Sequence, residues 1–228
     1  ADLGKYQEAI TYYDKALASN SRDLSALNGK GIALHSLGKN KEAIGYFEKV
    51  LSISRNDTDA LNEKGLALYY LDRDEEAITY YDKVLAINPN DQDALYNKGL
   101  ALHFLGKYDE AIKYYDKVLA IDSTNTGALN RKGSALSNLN RDEEAITYYD
   151  KVLAINPGYY DSLYNKGLAL DYLGKYEEAI TYYDKVLVIN TNDTDALTNK
   201  GLVLYNLNRD EEAITYYDKV LAINSSDD

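Results

Sequence analysis

Residues 73–88 read Arg73-Asp-Glu-Glu-Ala-Ile-Thr-Tyr-Tyr-Asp-Lys-Val-Leu-Ala-Ile-Asn88, and the same string stands again at 141–156 and at 209–224. The spacing is 68 residues each time, and a degenerate copy lies midway, as in the run from Lys107 to Asp122, so the unit is 34 residues long. In the middle copy Tyr108, Ala111, Ile112, Tyr115, Val118, Leu119 and Ile121 fall on one helical stripe. Ahead of them Leu95, Gly99, Ala101, Leu102 and Leu105 make a second stripe. Each unit therefore reads as two amphipathic helices. The turn between them needs a residue that tolerates positive φ, and the sequence places Gly at 4, 38, 106 and 174, Asp at 72, and Asn at 140 and 208. Acids such as Asp109 and Glu110 open the second helix, where the positive end of the helix dipole favours them. Asn-Pro-Asn-Asp at 88–91 and Asn-Pro-Gly at 156–158 break the chain between units.

Six full copies follow, at 23–56, 57–90, 91–124, 125–158, 159–192 and 193–226, after a half repeat at 1–22. The reading is one uninterrupted array over 1–228, with no linker. A lone 34-residue helix pair cannot enclose a core, so each unit must pack on its neighbours. Gly99, Ala101 and Ala111 and their counterparts let the helices approach closely. The composition agrees: two Pro in 228 residues, and an apolar share built from Leu, Ala, Ile and 24 Tyr. With no Cys and two His there is no disulfide framework and little to hold a metal. A net charge of −12 keeps nucleic acid and anionic membrane off the list of expected partners. No apolar run is long enough to span a bilayer, the N-terminal residues show no signal-peptide pattern, and a cytoplasmic location is expected.

The repeat resembles the tetratricopeptide family, whose pattern runs W-x2-L-G-x2-Y, then A-x3-F, then P. Here the third copy gives Leu95-x2-Lys98-Gly99-x2-Leu102, then Ala111-x3-Tyr115, with Pro at 89 and 157. The family's Trp is Leu in all six copies, and its Leu before Gly is Lys (30, 64, 98, 132, 166, 200). Those lysines are expected to lay their stems on apolar surface with the ammonium in water. The resemblance implies an all-α fold, a right-handed superhelical solenoid of antiparallel helix-turn-helix repeats, with the first helices lining a concave groove. It also implies a protein-interaction scaffold that is not an enzyme and carries no cofactor.

Comparison of the copies locates the groove independently. The second helix barely changes, whereas the first varies on the face opposite its core stripe. The candidate peptide-binding residues on that face are Asn62, Leu66, Tyr69, Tyr70, Tyr96, Asn97, Leu100, His103, Phe104, Asn130, Arg131, Tyr164, Asn165, Leu168, Tyr172, Asn199 and Tyr205. Leu flanked by Tyr and Phe supplies adhesive surface, and one amide per unit could bond an extended backbone. Asp59, Asp93, Asp161 and Asp195 rim the same side, so the expected partner is a protein or peptide with apolar and basic residues. A clamp for an acidic C-terminus is not expected, because Arg131 is the evident cation of this face and the family's groove Asn is Ile or Leu in five of six copies. Association of copies into dimers or filaments through uncapped terminal repeats is a second expectation.

Other motifs dissolve on reading. Gly-Lys at 38, 106 and 174 lacks the Ser or Thr and the preceding Gly of a phosphate loop. Asp57-Thr-Asp59 and Asp193-Thr-Asp195 lack the Gly and distal Glu of a calcium loop and read as helix caps. His35 and His103 stand two units apart, too far to share a metal. Asn56, Asn192 and Asn224 head incidental glycosylation acceptor patterns in polar loops.

Overall fold

A computed structural model describes residues 3–225. The acceptor pattern at Asn224 and the last repeat, both running to Ser226, therefore end outside the described residues. The described chain is helical throughout: α1 Leu3–Ser19, α2 Leu24–Ser36, α3 Asn40–Ile53, α4 Thr58–Tyr69, α5 Asp74–Ile87, α6 Gln92–Phe104, α7 Tyr108–Ile121, α8 Thr126–Asn138, α9 Asp142–Ile155, α10 Tyr160–Tyr172, α11 Tyr176–Ile189, α12 Thr194–Asn206 and α13 Asp210–Asn224. Backbone contacts group it into two compact units, Ala1–Ile121 and Asp122–Asp228. Even-numbered helices are the first helices of the repeats, and odd-numbered ones the second.

The helix boundaries follow from local chemistry. Asp23, Asp57, Asp91, Asn125 and Asp193 each accept a side-chain hydrogen bond from the amide three residues on, at 2.8–3.0 Å, so the first acid of the motifs at 57–59 and 193–195 is a helix cap, as the sequence indicated. The turn inside each repeat is a Schellman closure. Lys107 N–H donates to Leu102 O at 2.9 Å and Gly106 N–H to His103 O at 3.0 Å, with Gly106 at φ 72°. Asp72, Asn140 and Asn208 adopt φ of 56–58° in the same role. Gly4 departs from this expectation: it lies within the first turn of α1.

In each unit the paired helices bury Ala, Leu, Val and one aromatic ring. Tyr81 and Tyr115 in the first unit and Tyr149 and Tyr183 in the second are almost wholly enclosed, and Phe47 takes the same place in the first full repeat. The ring lies against a glycine of its own repeat. A Cβ on Gly99 would stand 2.6 Å from Tyr115 Cε1, and one on Gly167 2.8 Å from Tyr183 Cε1. Successive first helices of a unit (α2, α4, α6; α8, α10, α12) also approach one another within 8 Å, whereas successive second helices do not among the described residues. Within each unit the first helices thus form the inner layer.

The repeated lysines correct one sequence expectation. Lys64, Lys98, Lys166 and Lys200 are buried, with side chains only 7–10% exposed. Lys64 donates to Glu48 Oε1 at 2.7 Å, and Lys98, Lys166 and Lys200 pair with Asp82, Asp150 and Asp184 of the preceding second helix. Each ammonium also sits 4.4–4.6 Å from the centre of a tyrosine ring in its own repeat, Tyr80, Tyr114, Tyr182 or Tyr216. A second lysine, such as Lys117 against Tyr114, covers the same ring. The stem packs as expected, but the charge is paired across two repeats and not left to water alone. Burial alone would lower the Lys98 pKa; the hydrogen bonds with Asp82 and Tyr114 outweigh it and hold the ammonium above its ordinary value. A raised lysine pKa contributes stability that is complete below about pH 10 and is lost only as pH rises through the folded value.

Asp82 is itself half exposed, so solvent screens its share of the pair. Asp82→Ala should lower stability by about 1 kcal/mol, read as a reduced urea midpoint. Adding Lys98→Met should recover most of that loss, since the uncompensated buried charge is then gone. Full additivity of the two changes would contradict the pairing.

Candidate functional site

The inner layer carries the residues that the sequence singled out, and the two units present them differently. In the first unit, rings at the C-terminal ends of the first helices form a chain. His35 lies 5.1 Å from Tyr70, Tyr70 5.5 Å from Tyr69, Tyr69 5.4 Å from Phe104, and Phe104 6.2 Å from His103. Tyr70 and Phe104 are 60% and 62% exposed, and Tyr69 and Leu66 half-buried beside them. The helix register causes this exposure: these positions sit at the last turn of each first helix, opposite the Leu and Ala that face the second helix. Both histidines also reach across the turn, His35 Nδ1 to Asn40 Oδ1 at 2.6 Å and the His103 ring to Tyr108 at 5.1 Å. Leu100, Tyr96 and Asn97 are half-buried, and the Tyr96 ring is backed by Tyr115 at 6.2 Å.

In the second unit Tyr172 and Tyr205 are 68% and 60% exposed, with Leu168, Asn165 and Arg131 half-buried. Tyr164 lies against Tyr183 at 6.3 Å and stacks on Tyr160, whose hydroxyl bonds Asp193. Burial, followed by the nearby Asp195, raises the Tyr164 phenol above its ordinary pKa.

The amide ladder does not survive in the form expected. Asn130 is only 3% exposed, and its Oδ1 accepts from Ser162 Oγ at 2.8 Å. Asn199 Nδ2 donates to the Tyr164 hydroxyl at 2.8 Å, and Asn62 Nδ2 points to Asp91 Oδ1 at 3.5 Å. Asn130 is thereby drawn out of solvent, while Asn62 and Asn199 stay half-buried with one bond each to the neighbouring repeat. Asn97 and Asn165 alone of the five remain half-open without such a bond.

Sequence reasoning missed one feature of this face. A cleft of about 320 Å³ opens in the second unit between α8 and α10, lined by Ser134, Ser137, Asn138, Asn140, Tyr149, Asn165, Leu168 and Tyr172. It exists because Ser134, Ser137 and Asn138 occupy places held by Leu66, Tyr69 and Tyr70 one pair of repeats earlier. The signal was legible as the run of Ser134, Ser137 and Asn138 at variable positions that carry Leu and rings in other repeats.

The face is acidic. Glu63, half-buried on α4, has its carboxyl raised above the ordinary range by burial; His35 opposes this, while Asp59 and Asp93 add to it. Asp171 is raised by burial alone. Among the described residues no cluster of side chains could hold a metal, and no helix is long and apolar enough to cross a membrane. An acid with a raised folded pKa destabilises the native state at neutral pH, and the penalty disappears as pH falls through that pKa. Glu63→Gln should therefore raise the melting temperature at pH 7, with the gap closing below about pH 4 in calorimetry at several pH values. An equal gain at pH 3 would contradict the assignment.

Comparison with known proteins agrees with this geometry. The tetratricopeptide repeat pattern matches residues 58–91, 93–125, 127–159, 160–193 and 194–227, and a second form of it matches 1–60. No curated protein matches in sequence. Among solved structures, MamA is 28% identical, with 72% of this chain and 95% of that one covered at a TM-score of 0.67. YrrB, described as a TPR protein with an unusual peptide-binding site, is 24% identical over 81% of this chain and 95% of its own, at 0.65. A tetratricopeptide repeat protein from Parabacteroides merdae is 20% identical over 97% and 88%, at 0.76. With the repeat pattern covering nearly its whole length, the chain belongs to the tetratricopeptide repeat family.

Proposed function

We propose that this protein-interaction scaffold takes an extended peptide segment along the inner faces of its first helices, through apolar anchors and with a preference for basic residues. The observation that carries the reading is the recurrence of large, exposed rings on successive first helices: Tyr70 and Phe104 in one unit, Tyr172 and Tyr205 in the other. Aromatic rings left in water on several first helices cost solvation free energy that a partner's apolar side chains would recover. The second helices, by contrast, vary little among copies, and their tyrosine pairs are taken up by lysine and glycine contacts within the repeat. The acids Asp59, Glu63, Asp93, Asp161 and Asp195 on the first helices supply attraction for Lys or Arg in the partner. YrrB is described as peptide-binding, which is consistent with this use of the fold.

The test begins by selecting binders from a displayed random-peptide library and measuring them by fluorescence anisotropy. Tyr70→Ala, Phe104→Ala and Tyr172→Ala together should weaken the selected peptides by at least about tenfold, since each exposed ring anchor contributes on the order of 1 kcal/mol. Far-UV circular dichroism should be unchanged, because these rings are outside the core. Tyr96 and Tyr164 are poorer probes, being packed on Tyr115 and Tyr183. Retained affinity in the triple variant would reject the groove.

A second reading concerns copies of the chain. In the last repeat Ile214 and Leu221 are 56% and 65% exposed, whereas the corresponding Ile78 and Leu85 are half-buried against the next repeat. A further repeat or a second copy would cover them. Light scattering over a concentration series distinguishes the readings: association through this face must grow with concentration, and a constant monomer mass would remove it.

A further inference from the structure

We infer that the cleft between α8 and α10 is a side-chain pocket for arginine, so that the bound segment is read at this one repeat by charge and shape. The inference rests on the groove reading above and adds the identity of one anchor.

The cleft is small and its walls are largely polar. At about 320 Å³ it lies at the bottom of the roughly 300–1,000 Å³ range of ligand sites, which suits one long side chain and not a cofactor. Its lining is rich in polar side chains, and two of them are turned into acceptors by bonds they already donate. Ser137 Oγ donates its proton to Asp142 Oδ1 at 2.5 Å, so its lone pairs remain for a guest. Asn138 Nδ2 donates to Ser134 O at 2.9 Å, which leaves its Oδ1 as an acceptor. Asp142 is a buried carboxylate beside the floor, and no Lys or Arg lines the cleft. Tyr149 forms part of the lining, while Tyr172 at the rim presents a ring that is mostly in solvent.

These features select among possible guests. A carboxylate would meet Asp142 without a compensating cation. An aliphatic side chain would leave the serine and asparagine acceptors desolvated and unpaired. A guanidinium offers five N–H donors in a plane, can bond several acceptors at once, and stacks flat on a tyrosine ring. A lysine ammonium satisfies the charge but neither the fork nor the stack.

The probe is N-acetyl-arginine methylamide, titrated into the ¹⁵N-labelled full chain and followed by two-dimensional NMR, with N-acetyl-lysine methylamide as comparison. Amide shifts should concentrate at residues 134–142 and 165–172 and be larger with the arginine compound. Ser134→Leu with Ser137→Tyr, the side chains already at 66 and 69, should abolish these shifts by filling the pocket. Should that pair disturb helicity, Asn138→Tyr, matching residue 70, closes the mouth from the exposed side and should have the same effect. Shifts spread over the whole acidic face, equal for both compounds, would mean counter-ion attraction and overturn the proposal, as would their absence. The two readings fail separately. Peptides that bind the aromatic face without arginine shifts in the cleft sink the pocket alone; arginine shifts with no selectable peptide sink the groove alone.

Discussion

The fold depends on one contact repeated down the chain: the Lys-Gly pair of each first helix meets the Tyr-Tyr or Tyr-Phe pair of its own second helix, sixteen residues later. Gly99 has no Cβ because the Tyr115 ring occupies that space, and Lys98 lays its ammonium against Tyr114. The two halves of the pair have different tasks. The glycine sets how closely the two helices of a repeat approach, and the lysine reaches back to Asp82 and ties the repeat to the one before it. A ring in place of a bulky aliphatic residue suits this arrangement, since one flat face can accept a bare backbone while its neighbour in sequence accepts a cation.

This lock has a consequence for function. Because the second helix is committed to it, its sequence is nearly invariant among copies, and variation is confined to the first helix. There the inner face is set by the same packing at a distance. First helices approach within 8 Å in each unit, and this draws Asn130, Asn199 and Asn62 into bonds with the neighbouring repeat while rings at the last helical turn stay in solvent. What stays exposed on this face is therefore aromatic and acidic, with one polar cleft where a repeat has lost its bulky side chains.

Much of the architecture was legible before any coordinates. The 34-residue period, the alternating stripes, the Gly, Asp and Asn at the turns and the capping Asp or Asn all depend on local backbone chemistry, which sequence expresses directly. Less legible was anything that depends on which neighbour a polar group meets. The lysine at 98 reads as a surface residue until the second helix of the preceding copy is placed against it, although Asp82, Lys98 and Tyr114 stand at equal intervals of sixteen. The amides read as a ladder because their spacing is regular, but their direction is set by helix–helix distance. The cleft was hidden for a related reason: small residues signal a cavity only when the large ones around them are known.

The central claim is that ring and bare α-carbon are fitted to each other, and a double-mutant cycle of Gly99→Ala and Tyr115→Leu in the full chain tests it most directly. With Tyr115 present, the added methyl must displace an enclosed ring, and urea unfolding should show a loss of about 1–3 kcal/mol. With Leu at 115 the space is open, and the same change should cost nothing or gain up to about 1 kcal/mol from the better helix propensity of alanine. An equal penalty in both backgrounds would show that the glycine is there for some reason other than the ring, and the account of how these helices are held would fall with it.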